Sequence, residues 1–145
     1  MTMMLKIDYA NPPHVLGCLP EQVMRMLALP ISDASPTVIL PKNIIAKHIK
    51  KHEPDFASWE SFKQHVELMP EILTYPDYAG YHPYRCSIRL VKRLDAVMVL
   101  ALRLTQGEHG LEVRKLFPIS ASKLQLWIAS GDMLPVNLDR PHHEG

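Results

Sequence analysis

The amino-acid sequence predicts an α+β fold, with N-terminal helices packed on an antiparallel β-meander of about four strands and a C-terminal helix closing the chain. Two observations carry this expectation. In the first half, apolar residues recur at helical spacing in "LPEQVMRMLALP", "PKNIIAKHIKKHE" and "SWESFKQHVELM". The second half changes to β-rich runs, "CSIRLVKRL", "AVMVLALRL" and "LEVRKLF", before a last helical stretch, "SASKLQLWIASG".

Each element has its own local reason. Pro20 fits the first turn of a short helix whose apolar positions are Val23, Met26 and Leu27. "TVIL" (Thr37 to Leu40) is a short strand or an extended lead-in, and Pro41 opens a helix that stops near His52, because Pro54 disfavours helix at Glu53. Ser58 is placed to cap a helix with Trp59, Phe62 and Val66 on one face. Ile72 to Tyr75 are expected to form a short strand. In "CSIRLVKRL", Ile88 and Leu90 share one face and Arg89 takes the other. Ala96 to Leu104 is apolar on both faces, as in a central strand. "TQGEHG" is the hairpin loop. Ser120 caps the last helix, Leu124, Trp127 and Ile128 form its apolar face, and Gly131 ends it.

The length of 145 residues suits one domain with a core of its own, since 47% of the residues are hydrophobic. Residues 137–145 are expected to form a flexible tail. The two cysteines have no metal-ligand spacing, and Cys18, between Leu16 and Leu19, is expected to be a buried thiol. A formal net charge of +1 with eight histidines is not the composition of a protein that holds nucleic acid by bulk charge. No apolar run is long enough to span a membrane, and "MTMMLKIDYANPP" lacks the pattern of a secretory signal. The expectation is a soluble, cytoplasmic protein.

The chemistry begins at "HIKKH". His48 and His52 stand four residues apart, so a helix stacks them on one face, at the edge of the stripe made by Ile45 and Ile49 and beside Lys47, Lys50 and Lys51. Three readings are open at this point. A metal site needs further ligands, for which His65 and His82 are the candidates, and the peptidase form of the motif is broken by Ile49. The pair can instead be the solvated edge of an amphipathic helix, or can carry protons in acid–base catalysis.

A second candidate lies in "LEVRKLF". Strict alternation puts Leu111, Val113, Lys115 and Phe117 on one face and Glu112, Arg114 and Leu116 on the other, so Lys115 interrupts an apolar face. Either it snorkels at a sheet edge or it holds a phosphate in a cleft. Lys92 and Arg93, at the end of their strand, pose the same choice between a solvated face and phosphate binding.

The order "HIKKHEPDF", "MPEILTYPDYAGYHP", "SIRLVKRLDAVMVLALRL" and "GLEVRKLFPISASKLQLWIASGDM" resembles the phage-associated nuclease domains of the barnase–EndoU–colicin–RelE superfold, across Val15 to Val136. The resemblance implies helices on an antiparallel sheet and an RNA site on the sheet's exposed face. It implies a metal-independent endoribonuclease without a cofactor, acting as a toxin or phage effector and countered by an antitoxin or immunity protein. In that chemistry the ribose 2′-hydroxyl attacks the adjacent phosphate, a base takes its proton, an acid protonates the leaving 5′-oxygen and a cation stabilises the developing charge. Carried onto this chain, His48 and His52 are the proton carriers, and Lys92 and Lys115 the catalytic cations. Lys51, Tyr78, Arg114 and Ser120 are candidates for substrate contacts. Tyr75, Tyr78, Tyr81 and Tyr84 either stack on unpaired bases or pack the turn region. Many relatives carry Ser or Thr where this chain has Lys115. The lysine either replaces it as the phosphate clamp or marks a module that binds RNA or a protein without cleaving.

Overall fold

Along the chain, the computed structural model contains β1 (His14–Cys18), α1 (Glu21–Leu27), β2 (Thr37–Leu40), α2 (Trp59–Glu67), α3 (Met69–Thr74), β3 (Tyr78–His82), β4 (Ser87–Arg93), β5 (Val97–Leu104), β6 (Leu111–Ile119), α4 (Ala121–Ala129) and β7 (Leu134–Pro135). It describes residues 14–29, 36–41, 44, 54, 56, 58–82, 85–104 and 111–136. The expected helix carrying His48 and His52, the expected loop "TQGEHG" and the expected tail from residue 137 lie outside the described residues.

The class is mixed α+β. β3 to β6 form the antiparallel meander of four, but the sheet is wider than expected. Its order is β1-β2-β6-β5-β4-β3-β7, seven strands in all. β2 joins β6 in parallel, so the sheet is mixed rather than a pure meander. Nor do the helices form a block ahead of it, because α1 lies between β1 and β2 in sequence. The expected strand over Ile72 to Tyr75 is instead helical. Pro70 sets the first turn of α3, and buried Met69, Ile72 and Leu73 recur at helical spacing on its inner side. This short helix is the one seated against β1, β4 and β5.

The main core lies on the helix-bearing face of the sheet. Ile88 and Leu90 of β4, Met98, Leu100 and Leu102 of β5, and Val113 and Leu116 of β6 meet Phe62 and Val66 of α2 and Ile72 and Leu73 of α3. A smaller cluster forms on the opposite face, where Leu124, Trp127 and Ile128 of α4 cover Val91, Val99, Phe117 and Ile119. β5 is therefore buried on both sides, as its unbroken apolar run requires. Ser120 caps α4 by accepting a hydrogen bond from the Lys123 amide, and Ser58 caps α2 in the same way from Ser61. The chain leaving α4 passes so close to β3 that a Cβ at Gly80 would overlap the Asp132 carbonyl, which is why this strand position is glycine.

Two bulges correct the expected side-chain directions. In β1 the register slips between Val15 and Gly17, with Gly17 at φ 143. Leu16 stays buried, and Cys18 turns outward and is exposed rather than buried. In β6, Leu102 of β5 stands opposite Val113 and Ala101 opposite Lys115, which leaves Arg114 as the extra residue. The slip ends strict alternation, so Leu111, Val113 and Leu116 point into the main core while Lys115 and Phe117 point to the opposite face. Lys115 does not interrupt the apolar face; it has left it.

Candidate nucleic-acid interface

The half of the second sheet face that α4 leaves uncovered is strongly basic. β4 contributes Ser87 and Arg89, β5 contributes Ala101 and Arg103, and β6 contributes Arg114, Lys115 and Phe117. With Arg85 from the preceding turn, they line a concave pocket of about 270 Å³. Ladder register explains the convergence. Ser87 pairs with Arg103, Arg89 with Ala101, and Ala101 with Lys115, so the side chains form adjacent cross-strand rows. Ala101 at the centre is small, which leaves room for the longer arms around it. Four arginines and one lysine line the pocket, and no carboxylate does. Such a surface attracts anions and offers only donors to them apart from the Ser87 hydroxyl.

One wall is aromatic. The Arg89 guanidinium carbon lies 4.8 Å from the centroid of the Trp127 ring, and Lys123 Nζ lies 5.5 Å from it. Phe117, which lines the pocket, also packs in the cluster beneath α4. The cations of the pocket thus adjoin an aromatic edge, a combination suited to a nucleic-acid strand.

The site residues expected from sequence fall in different places. Lys115 and Arg114 line the basic pocket. Lys92 points to the helix-bearing face, only 7% exposed, where its Nζ donates to the Tyr75 carbonyl at 2.8 Å and lies 3.8 Å from Glu71 Oε2. Lys92 and Lys115 therefore sit on opposite sides of the sheet. Tyr78 is half-buried at the far end of the second face, with Arg93 above its ring. Ser120 is engaged as the α4 cap. His48, His52 and Lys51 lie outside the described residues, as does Tyr84. Tyr75 caps the end of α3, and Tyr81 packs against the main core.

His65, one of two candidates for a further ligand in the metal reading, is 3% exposed and has acceptors at both ring nitrogens: the Ser61 carbonyl at Nδ1 (2.6 Å) and Asp95 Oδ1 at Nε2 (2.5 Å). It ties α2 to the β4–β5 turn. Among the described residues, no three His, Cys, Asp or Glu side chains gather as metal ligands. No helix among them is long and apolar enough to cross a membrane. Arg85, Ser87, Arg89, Arg103 and Phe117 were not among the sequence candidates. For the polar ones the signal was present in their alternation with Ile88, Leu90 and Leu102, but only the ladder register shows that they meet.

Residues 14–125 match the family described as phage-Barnase-EndoU-ColicinE5/D-RelE like nuclease3. No curated protein and no solved structure matches the chain. The family match spans most of the sequence, including every strand of the basic face, and a nuclease's substrate is the polyanion that such a face attracts. The chain belongs to this family of barnase–EndoU–colicin–RelE-like nucleases.

Proposed function

We propose that the protein is a metal-independent endoribonuclease that binds RNA on the basic half of its second sheet face. The observation that carries this reading is the pocket in which Arg85, Arg89, Arg103, Arg114 and Lys115 meet without a lining carboxylate. Cleavage would proceed by attack of the ribose 2′-hydroxyl on the adjacent phosphate, leaving a 2′,3′-cyclic phosphate and a free 5′-hydroxyl. Fixed cations suit that chemistry, since they stabilise the charge on the phosphorane more than that on the ground-state diester. Lys115 and Arg114 enter the proposal as the phosphate clamp, and His48 and His52 as proton carriers. The Arg89–Trp127 edge supports recognition of unpaired RNA, whose bases are free to stack.

The modest net charge of +1 supports a selective substrate over indiscriminate binding, because the cations are concentrated on one surface. The phage element of the family description supports a role as a phage-encoded effector or toxin acting in the cytoplasm. An inhibitory partner that covers the basic pocket belongs to the same proposal.

The test is incubation of the purified protein with total RNA in EDTA. The expected outcome is cleavage to products with cyclic-phosphate ends, strongly reduced in His48→Ala. No cleavage by the wild type, or undiminished cleavage by the variant, sinks the corresponding part of the reading.

A further inference from the structure

The basic pocket is rich in donors and poor in acceptors. Arginine presents only N–H groups and stays protonated, and lysine in its charged form has no acceptor. Four arginines and a lysine can hold a phosphate and stabilise charge on it. They are unsuited to taking the proton that a 2′-hydroxyl must lose when it attacks. A side chain able to accept a proton has to stand beside them.

The ladder supplies one. In β3, Ala79 and Tyr81 pack toward the main core, whereas Tyr78, Gly80 and His82 take the second face. His82 pairs directly with Ser87, and Ser87 in turn with Arg103. His82, Ser87, Arg103 and Glu112 therefore form one cross-strand row, of which Ser87 and Arg103 line the basic pocket while His82 and the Glu112 carboxylate, opposite Arg103, stand at its two ends. Directly opposed residues have Cβ atoms only about 4.5–5.5 Å apart. His82 is exposed, and its directly opposed partner Ser87 lines the pocket.

We propose that His82 is a catalytic residue of this site, the general base that removes the 2′-hydroxyl proton from the nucleotide whose phosphate the basic pocket holds. The inference rests on the endoribonuclease reading above. As the O2′–P bond forms, the 2′-proton passes to an imidazole nitrogen of His82. The P–O5′ bond then breaks, and the 5′-oxygen takes a proton from one of the carriers proposed above, His48 or His52, so that His82 replaces only the base of that pair. The products are a 2′,3′-cyclic phosphate and a 5′-hydroxyl, and solvent returns His82 to its starting state. No oxidant, metal or cofactor enters this balance.

The test compares wild type with His82→Gln on a single-stranded RNA, alongside the same strand made as uncleavable 2′-deoxy DNA. The melting temperature of each variant is measured alongside, so that rates are compared between folded proteins. The expected result is a kcat lower by roughly 10²-fold, the lower end of what a general base contributes, with KM changed little. The acidic limb of the kcat–pH profile should vanish, and a His82→Ala variant should regain part of its rate with added imidazole. A structural role would reproduce neither effect. His82→Gln with wild-type kcat and an intact acidic limb overturns the proposal and leaves the nuclease reading standing. The His82 ring protons, followed by NMR as the 2′-deoxy strand binds, separate the two failures. Unmoved ring signals at saturation overturn the placement of His82. Shifted signals in a wild type that cleaves no RNA overturn the endoribonuclease reading and the base role with it, and leave His82 as a binding residue.

Discussion

Arg89 extends from β4 across the second sheet face so that its guanidinium lies 4.8 Å from the Trp127 ring centroid on α4. The contact joins the helix covering one half of that face to the cations lining the other half. Cation–π pairing of this kind is worth about 0.5–2 kcal/mol, and it restrains a long side chain that would otherwise sample many rotamers. Trp127→Leu keeps an apolar contact with Val91 and Leu124 but removes the aromatic face. RNA affinity, measured by fluorescence anisotropy, should fall by roughly three- to tenfold, consistent with an energy of that size. Trp127→Phe, which retains a ring, should fall less.

The bulge at Arg114 yields a prediction about register. Deleting Arg114 alone joins Val113 to Lys115, and both then keep their partners Leu102 and Ala101 in a regular ladder. The deletion should shift the thermal midpoint by only a few degrees, about 1 kcal/mol for a domain of this size. Inserting one alanine between Lys115 and Leu116 instead turns Leu116 away from the core. That insertion should cost more than about 3 kcal/mol, in the range of losing a buried leucine. Urea unfolding of the two variants checks the difference.

Lys92 gives the opposite expectation to Lys115. Its Nζ meets the carbonyl of Tyr75, the C-cap of α3, and approaches Glu71 in the first turn of that helix. Removing one partner of a mostly buried charged contact leaves the other poorly solvated, at a cost of about 1–3 kcal/mol. Lys92→Ala should lower the urea midpoint accordingly. RNA affinity of the folded variant should match the wild type, because the side chain lies across the sheet from the basic pocket.

Gly80 is fixed by a close approach rather than by its backbone angle. Gly80→Ala would drive a methyl group into the Asp132 carbonyl, and the chain after α4 has to move. β7 pairs only through Tyr78–Pro135 and Ala79–Leu134, so it is the element expected to detach. Hydrogen exchange should show the Val136 amide, which donates to the Asp77 carbonyl at 2.9 Å, losing protection before β4 and β5 do.

The core strands and caps were legible in the sequence because their signals are local. β5 announces itself by an apolar run, α2 and α4 by a serine cap and helical spacing. α3 was missed because its six residues are few for a period to show, and Pro70 was a better guide than the β-prone Ile72 and Tyr75. β2 was legible as the short run "TVIL", but its place in the sheet was not, since the parallel pairing between Val38 and Leu111 joins segments far apart in sequence, and β1 was not read as a strand. Lys115 was recognised as unusual for a reason that proved different: the bulge, invisible to strict alternation, carries it to the second face. The arginines around it are ordinary on their own strands and become a site only through three-strand register.

The central claim, that the basic pocket is where RNA is cut, is tested most directly by cleavage kinetics of Arg103→Ala/Lys115→Ala on single-stranded RNA in EDTA. Both side chains lie at the pocket and outside the core, so the variant should retain the wild-type fold by circular dichroism. The account predicts cyclic-phosphate products from the wild type and a rate at least about 10²-fold lower in the variant, as expected when cations aimed at developing charge are removed. Equal rates for the two proteins, or an inert wild type, would contradict it.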